Sequence, residues 1–264
     1  HIPQSIFEKI PGSPIAYWVS EKVMEVFRGE LIKDISKPRA GLATGDNSIF
    51  QRFWHEISLR KIGFNFSDVH ETINSEFKWY PCNSGGFLRK WSTADTIVVN
   101  WYNNGKEIKN FRNKNGKLAS RPQNTQYYFK KGLTWNKISS SNFAVQYKKE
   151  GFIYDDTSRS AFIDNENNIY YVLGLLCSNV AFRFLEIFNP TMSFTNGDIE
   201  RIPYIFTENK LSSIDKIVKS NISISKTDWD SRETSWDFEV NPLVAQQATS
   251  IEEAYRLWCE AVTK

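Results

Sequence analysis

The chain has 264 residues, of which 41% are hydrophobic and 24% are charged, and its formal net charge is +3. This composition excludes wholesale disorder, and the length allows one large domain or two modest ones. No run of about 18 apolar residues is present, so we expect no membrane partner. The first residues do not resemble a signal peptide and do not include Met. We therefore expect a fragment of a longer protein.

A helix is predicted near the N-terminus. Ser13 followed by Pro14 is typical of a helix start, and apolar residues at helical spacing continue to about Phe27. Gly29 would end this helix. A connector and a polar, glycine-containing loop at 41–47 follow, and the next segment, to about residue 57, fits either a short strand or a helix.

Short β-strands are predicted from about residue 77 to 165. Residues 96–101 are rich in β-branched side chains, whereas Asn103-Asn104-Gly105 and Asn115-Gly116 are typical of hairpin turns. Further short strands are predicted at 126–129, 133–138, 143–147, 151–154 and 160–163. The spacing indicates an α+β fold: a twisted antiparallel or mixed β-rich recognition domain with flanking helices.

The C-terminal part is predicted to be helical. Apolar residues at helical spacing predict one buried helix over 170–188, followed by a strand at 199–206 and a weaker helix at 211–220. Residues 226–238 are acidic and aromatic. Ser250 with Glu253 three residues later is a capping-box pattern, which predicts a final helix to about residue 262.

Cysteine and histidine are sparse. Cys82, Cys177 and Cys259 are far apart in the sequence, so no disulfide framework is predicted, and a reducing, cytoplasmic location fits best. The three histidines are too scattered for the ligand spacings of a metal site.

The small net charge conceals a strong segregation. Residues 78–149 contain fourteen Lys or Arg and two acidic residues, Asp95 and Glu107, so this block carries +12 and the remainder −9. Such a block produces a strong local field, and the polyanion it suits best in a cytosolic protein is nucleic acid. A solvated surface with a chance excess of lysine is the alternative.

Aromatic residues alternate with the cations of this block. Trp79 follows Lys78, and Trp91 follows Lys90. Cations neutralise phosphates, and aromatic rings stack on bases or wedge between them. The competing interpretation places each ring on a strand with one face in the core, and for any single ring that interpretation is favoured.

Six groups of residues occur in an order and spacing that indicate a family. The groups are 41–47 with Phe50, Arg52 and 54–56; 78–81 with Gly85, Gly86, 89–91 and 98–101; 105–110; 127–130 with 132–135 and 138–141; 173–178 with 189–191, 197–199 and 202–203; and 228–230 with 233–238. Together they resemble the region that follows the catalytic domain in BREX-type, phage-defence adenine-specific DNA methyltransferases. More broadly, the chain is similar to the target-recognition domains of TaqI-like and type IIG adenine methyltransferases.

The resemblance implies a DNA-reading segment with the catalytic domain upstream in the intact protein. Such catalytic domains carry a glycine-rich loop for S-adenosylmethionine and an Asn-Pro-Pro-Tyr/Phe segment for the flipped adenine. Neither occurs here, since Asn189-Pro190-Thr191 lacks the second Pro and the aromatic residue. We therefore expect no catalytic residue, metal or cofactor in this chain, and S-adenosylmethionine in the parent enzyme.

The same resemblance predicts three parts and a set of DNA contacts. Residues 1–40 would be a helix and connector from the catalytic domain, 41–206 the DNA target-recognition domain, and 207–264 a helical, acidic extension. Double-stranded DNA is the expected partner, and the Lys and Arg residues of the 78–149 block would contact its phosphates. Base edges in the major groove would be read by some of Arg89, Arg121, Gln123, Asn124, Ser139, Ser140 and Ser141. The candidate DNA-binding residues are Asn47, Arg52, Lys78, Trp79, Arg89, Lys90, Trp91, Arg121, Gln123, Asn124, Lys130, Lys131, Trp135, Ser139, Ser140 and Ser141.

Two other functions remain open. A protein-interaction module would present the basic block to an acidic partner, either another defence-system protein or a mimic of DNA. A nuclease would need clustered carboxylates around a metal, and the paired PD and (D/E)xK pattern is not evident in the sequence.

Overall fold

A computed structural model describes residues 10–14, 16–86, 88–139, 143–189 and 191–263. Within these residues the strands are β1 Ser36–Ala40, β2 Gln51–Phe53, β3 Trp79–Asn83, β4 Trp91–Ser92, β5 Ile97–Asn100, β6 Gly132–Asn136, β7 Val145–Lys148, β8 Ile153–Tyr154 and β9 Ser158–Ile163. The helices are α1 Glu21–Val26, α2 Ile32–Ile35, α3 Asn47–Phe50, α4 Tyr102–Lys109, α5 Ile169–Cys177, α6 Asn179–Phe188, α7 Asn196–Glu200, α8 Leu211–Asp230, α9 Pro242–Ala245 and α10 Ile251–Val262.

The strands form two mixed sheets, which confirms the predicted α+β class. The five-stranded sheet has the order β1-β9-β6-β7-β4, in which only the β4–β7 pair is parallel. The four-stranded sheet has the order β2-β5-β3-β8, in which only the β3–β8 pair is parallel. The predicted strands at 133–138, 143–147, 151–154 and 160–163 correspond to β6, β7, β8 and β9.

Each sheet has its own hydrophobic core. Helices α5, α6 and α8 cover one face of the five-stranded sheet, where Leu133 and Val145 pack among Leu173 and Leu176. The second core lies on the four-stranded sheet and is mostly aromatic, with Tyr80, Trp101, Tyr128, Phe129 and Tyr154. The rings of Tyr154 and Phe162 lie 5.6 Å apart and join the two sheets. Because β9 is covered on both sides, nearly all its residues are buried, as in an interior strand.

The predicted helix over 170–188 is wrong as a single element. The chain leaves the helical conformation at Ser178, whose ψ is 158°, and α5 and α6 meet at a bend of 66°. Ser178 Oγ accepts a hydrogen bond from the backbone N–H of Ala181 at 3.3 Å and so caps α6. A serine side chain that accepts a hydrogen bond from the N-terminal N–H groups of a helix favours a helix start at that position over continuation of the preceding helix. The spacing of apolar residues alone does not reveal such a break.

No single helix in the described part of the chain is long and apolar enough to cross a membrane. The helical segments Glu166–Cys177 and Asn179–Phe188 would be long and apolar enough only if they are taken together, and they are bent by 66° relative to each other. Helix α5, which belongs to the first segment, is largely buried in the first core.

The predicted helix start at Ser13 is wrong. Ser13 has a left-handed φ of 47°, whereas an N-cap residue is extended, and its backbone N–H closes a turn onto Ile10 O at 2.9 Å. Helix α1 begins after Ser20 instead. It ends at Val26, with Phe27 as its C-cap.

The predicted hairpin turn at 103–105 is also wrong. Asn103, Asn104 and Gly105 all take left-handed φ values, of 47°, 56° and 71°, and lead into α4. Asparagine and glycine tolerate this conformation better than other residues. A Cβ on Gly105 would lie 2.8 Å from the Trp101 ring, so close packing also requires glycine here.

Two predicted strands take other forms. Residues 126–129 overlap a short 3₁₀ turn, Thr125–Tyr127, after which Tyr128 and Phe129 are buried. Residues 199–206 contain the end of α7 and a segment with one bridge, between Leu31 and Pro203.

Two predicted helices are confirmed. The weaker one, α8, continues to Asp230 because its apolar side packs against α5 and β4. In α10, Ser250 Oγ accepts from Glu253 N at 3.1 Å as the capping pattern predicts. The Glu253 carboxylate bonds Thr249 rather than the cap residue.

Candidate nucleic-acid interface

The polar loop at 41–47 is held in place by close backbone packing. A Cβ on Gly41 would lie 2.1 Å from Tyr154 O, and one on Gly45, whose φ is +80°, would lie 2.7 Å from the carbonyl of Ala119. At the end of the loop, Asp46 caps α3 by accepting from Ser48 N at 2.9 Å. These contacts leave Asn47 exposed, with its amide oxygen bonded by the Thr44 hydroxyl.

The segment 121–124 pairs with this loop. Arg121 N donates to Ala43 O at 2.7 Å, and Ala43 N donates back to Arg121 O at 3.1 Å. Asn124 Nδ2 donates to Ala40 O at 2.9 Å and Gln123 Nε2 to Gly41 O at 3.4 Å. The two predicted base-reading amides therefore use a donor to position the loop. The Arg121 side chain is exposed and has no partner within the described residues.

Strand β2 adds an arginine to the same surface. The Arg52 guanidinium lies 5.9 Å from the Trp79 ring centroid and donates to the carbonyls of Ser48 and Gln51. Asp155 Oδ2 accepts from Gln51 Nε2 at 3.2 Å, which ties β2 to the turn after β8. A guanidinium stacked on an indole keeps its outer N–H groups available to an anion.

Lys78 and Glu107 form an exposed ion pair beside β3, with Nζ and Oε1 3.2 Å apart. The Asn100 amide, by its hydrogen bond, holds the pKa of Glu107 below its usual value, and Lys78 acts in the same direction. Glu107 is the last acidic residue before Glu150.

Residues 112–118 form an exposed hairpin, which lies beside α3. Arg112 pairs with Leu118 across the hairpin, and Ala119 N donates to Phe111 O at 2.9 Å at its base. Phe111 packs edge-on against buried Phe50, with ring centroids 5.0 Å apart, so the hairpin is anchored beside α3. We call the surface formed by residues 41–52 and 112–124 the basic face.

The candidate DNA-binding residues do not include the cations of this hairpin, although these cations belong to the basic block. Arg112, Lys114 and Lys117 are exposed, and neither lysine has a side-chain partner within the described residues. The Arg112 guanidinium donates to Gly116 O at 2.8 Å. The signal available in the sequence was the Asn-Gly turn inside a basic run with no acidic residue.

Other predicted contacts lie away from the basic face. Arg89 and Lys90 are engaged by α8 and α5: Arg89 Nη1 lies 2.8 Å from Asp228 Oδ2, and Lys90 Nζ donates to Cys177 O at 2.7 Å. Trp91 is half-buried against the first core.

Two lysines form surface ion pairs. Lys130 Nζ lies 3.4 Å from Asp68 Oδ2, and Lys131 Nζ lies 2.6 Å from Glu166 Oε2. Both remain predicted contacts outside the basic face.

The prediction for Trp135 is corrected by its burial. Trp135 is 1% exposed, and its indole N–H donates to Phe194 O at 3.1 Å, so in this structure the ring is a core residue that no base can reach. Ser139 is half-buried, with its backbone N–H bonded to Met192 O at 3.0 Å. Ser140 and Ser141 lie outside the described residues.

A buried lysine lies between the two sheets. Lys148 is 0% exposed, and its Nζ has no hydrogen-bond partner within the described residues. It stands 4.6 Å from the Tyr154 ring centroid and 5.1 Å from that of Phe162. Burial lowers the pKa of Lys148 to about 7, although Asp95 and Cys82 oppose the shift. This cation therefore cannot contribute to a surface that binds an anion.

Comparison with known proteins identifies the family. No family model matches the chain. The chain is 37% identical to the adenine-specific methyltransferase PglX of Lacticaseibacillus casei (strain Zhang) over 258 residues, which are 97% of this chain and 21% of that protein. It is 33% identical to the adenine-specific methyltransferase BrxX of Escherichia coli O9:H4 (strain HS) over 259 residues, which are 97% of this chain and 20% of that protein.

Among solved structures, the type IIL restriction-modification enzyme MmeI in complex with DNA aligns with 88% of this chain and 33% of its own, at a TM-score of 0.48 and 11% identity. The chain spans about one fifth of the length of the two methyltransferases. The identity to the two methyltransferases shows that the chain belongs to the family of BREX-type adenine-specific methyltransferases, as its sequence motifs predicted.

Proposed function

We propose that this chain is the segment of an N6-adenine DNA methyltransferase that recognises double-stranded DNA in bacterial phage defence. The observation that carries the proposal is the basic face. From residue 108 to 149 the chain has no acidic residue, and Arg112, Lys114, Lys117 and Arg121 are exposed there. Exposed cations that have no acidic partner are free to displace the counterions of a DNA backbone.

The proposed contacts divide by what each side chain already does. Arg52 and Arg121 contact phosphates, and Asn47 lies at the edge of the same loop. Gln123 and Asn124 hold the loop in place. Lys78, Lys130 and Lys131 can exchange their carboxylate partners for phosphates, because exposed ion pairs are worth about 0–1 kcal/mol.

The parent enzyme would supply the chemistry. S-adenosylmethionine and the flipped adenine would be bound by a catalytic domain of the intact methyltransferase, which is the proposed covalent partner of this segment. In that arrangement, residues 41–206 would hold the duplex and the flanking parts would connect to the remainder of the enzyme.

The test uses the intact methyltransferase and a short mixed-sequence duplex. Arg52→Ala combined with Arg121→Ala should lower the slope of log affinity against log salt by about 2, because two phosphate contacts are lost. Lys210→Ala with Lys216→Ala, two exposed lysines outside the basic block, is the charge-matched control and should leave the slope unchanged. A wild-type affinity that does not vary with salt would overturn the proposal.

A protein-binding role for the C-terminal region is the second candidate. Helix α10 leaves Ile251, Tyr255 and Val262 exposed by 81%, 55% and 62%. An apolar stripe of this kind is typical of a helix that docks on another protein surface. Duplex DNA should compete with an acidic partner bound at the basic face and should not displace a partner bound at α10.

A further inference from the structure

The turn at 112–118 is built as a rigid projection. Asn113 N donates to Lys117 O, and Gly116 N donates to Asn113 O, both at 2.9 Å. The Asn113 side-chain oxygen also accepts from Asn115 N at 3.0 Å and Lys117 N at 3.1 Å. Gly116 takes a left-handed φ of 73°, which glycine adopts without strain. Five hydrogen bonds, with that from Arg112, therefore hold the tip before any partner binds.

The projection leads away from a half-buried anchor. Phe111 packs against the second core and its carbonyl accepts from Ala119 N, whereas every residue from 112 to 118 is exposed. Two or three residues beyond the bridge reach roughly 7–10 Å, which is close to the depth of the major groove of B-DNA, about 8.5 Å. The major groove, about 12 Å wide, admits a two-stranded ribbon, whereas the minor groove of undistorted B-DNA is only about 6 Å wide.

The side chains at the tip have divided tasks. The Asn113 oxygen is used within the turn, whereas the Asn115 amide has no partner within the described residues. Lys114 and Lys117 flank Asn115, and both are exposed and unpaired there. A free amide between two free ammonium groups combines a group that pairs with adenine N6 and N7 with cations that neutralise the phosphates on either side.

From these observations we infer that the 112–118 hairpin enters the major groove of the bound duplex and that Asn115 reads a base there. Lys114 and Lys117 contact the phosphates that border the groove. The inference rests on the proposed DNA-recognition function and names the element that determines specificity within it.

The experiment compares three variants of the intact methyltransferase. Asn115→Ala removes the base-reading amide, and the nearly isosteric Asn115→Asp removes its donor while retaining an oxygen. Lys114→Ala with Lys117→Ala removes the two phosphate contacts. Methylome sequencing in cells identifies the sequence motif that each protein methylates. Affinity is then measured for an unmethylated duplex with the wild-type motif and for a mixed-sequence duplex. Thermal unfolding serves as the folding control, since substitutions at exposed positions should leave folding intact.

The expected results differ in kind. Either Asn115 substitution should weaken discrimination at a single base pair by about 5- to 150-fold. Asn115→Ala should leave affinity for the mixed-sequence duplex unchanged, whereas the negative charge of Asn115→Asp repels phosphates and should also weaken binding to both duplexes. The double lysine variant should weaken binding to both duplexes and lower the salt slope by about 2.

Two outcomes separate this inference from the proposed function. If Arg52→Ala with Arg121→Ala weakens binding while all hairpin variants behave as wild type, the hairpin inference is wrong and DNA recognition stands. If the wild-type enzyme shows no salt-dependent DNA binding, both are overturned.

Discussion

The basic face and the contact between Arg89, Lys90 and helix α8 contain the same residue types with opposite consequences. On the basic face, Arg121, Lys114 and Lys117 are exposed and have no side-chain partner within the described residues. At the α8 contact, Arg89 is paired with Asp228 and donates to Ser225 O at 2.7 Å. Equal charge in the sequence therefore produces an exposed basic surface in one place and a structural contact in the other.

The difference arises from what packs against each region. Helix α8 brings an acidic side chain and the backbone carbonyl of Ser225 to Arg89, and these contacts desolvate and partly neutralise the guanidinium. The hairpin meets no acidic segment, and its cations remain hydrated. The field of a basic block depends on such pairings, so a count of lysines and arginines measures only its upper limit. Lys148 shows a third case, in which a cation is removed from the surface altogether.

The largest expected effect concerns this buried cation. Because burial lowers the pKa of Lys148 from 10.5 to about 7, the unfolded state binds the extra proton between these values, and the stability of the wild type should rise with pH. The gain is up to about 1.4 kcal/mol per pH unit, and the full penalty below pH 7 is at most about 5 kcal/mol. Lys148→Met should raise stability at pH 7 and abolish the slope.

Urea unfolding between pH 7 and 8.5 measures this effect, with Lys216→Met at an exposed position as the matched control. Burial raises the pKa of the Cys82 thiol well above 9.0, so ionisation of the unfolded thiol opposes the trend at higher pH. If the free energy of unfolding of Lys148→Met still rose with pH, another group would produce the pH dependence.

The second largest effect is expected from a substitution that disrupts the basic face and leaves the α8 contact intact. In Gly41→Ala the new Cβ would lie 2.1 Å from Tyr154 O, a backbone atom that cannot move without shifting β8. We expect a loss of about 3 kcal/mol in the free energy of unfolding. Gly197→Ala is the control for the steric effect, because its φ lies outside the left-handed region and its Cβ would lie 3.9 Å from the nearest atom, Thr195 Oγ1. Equal losses in the two variants would argue against the steric explanation.

The smallest effect tests the α8 contact itself. Arg89→Ala removes an ion pair and a hydrogen bond from a side chain that is 18% exposed, so about 1–2 kcal/mol of stability should be lost. Because this arginine is engaged by α8, the salt slope of DNA binding should stay unchanged, as measured on the intact enzyme at a temperature where the variant is folded. If the slope of log affinity against log salt fell by about 1, Arg89 would contact a phosphate, and the two regions would not differ in the way described.

Several features follow from the sequence alone because their causes are local. Alternation and β-branched residues predict β6, β7 and β9, and the Ser250 cap predicts α10, since these signals depend on neighbours within a few residues. The family motifs and the charge segregation are likewise visible without coordinates, and they indicate DNA as the partner.

Other features were decided by tertiary contacts. The burial of Trp135 and the loss of Lys148 from the surface each depend on residues distant in the chain. Tertiary contacts also decide which cations are free: Arg89 meets Asp228, 139 positions later, whereas Lys114 has no charged partner in the part of the chain that the structure describes. The sequence by itself therefore determined the family and the sign of the charge, and only the tertiary structure decided where that charge is exposed, because ion pairing and desolvation act through space.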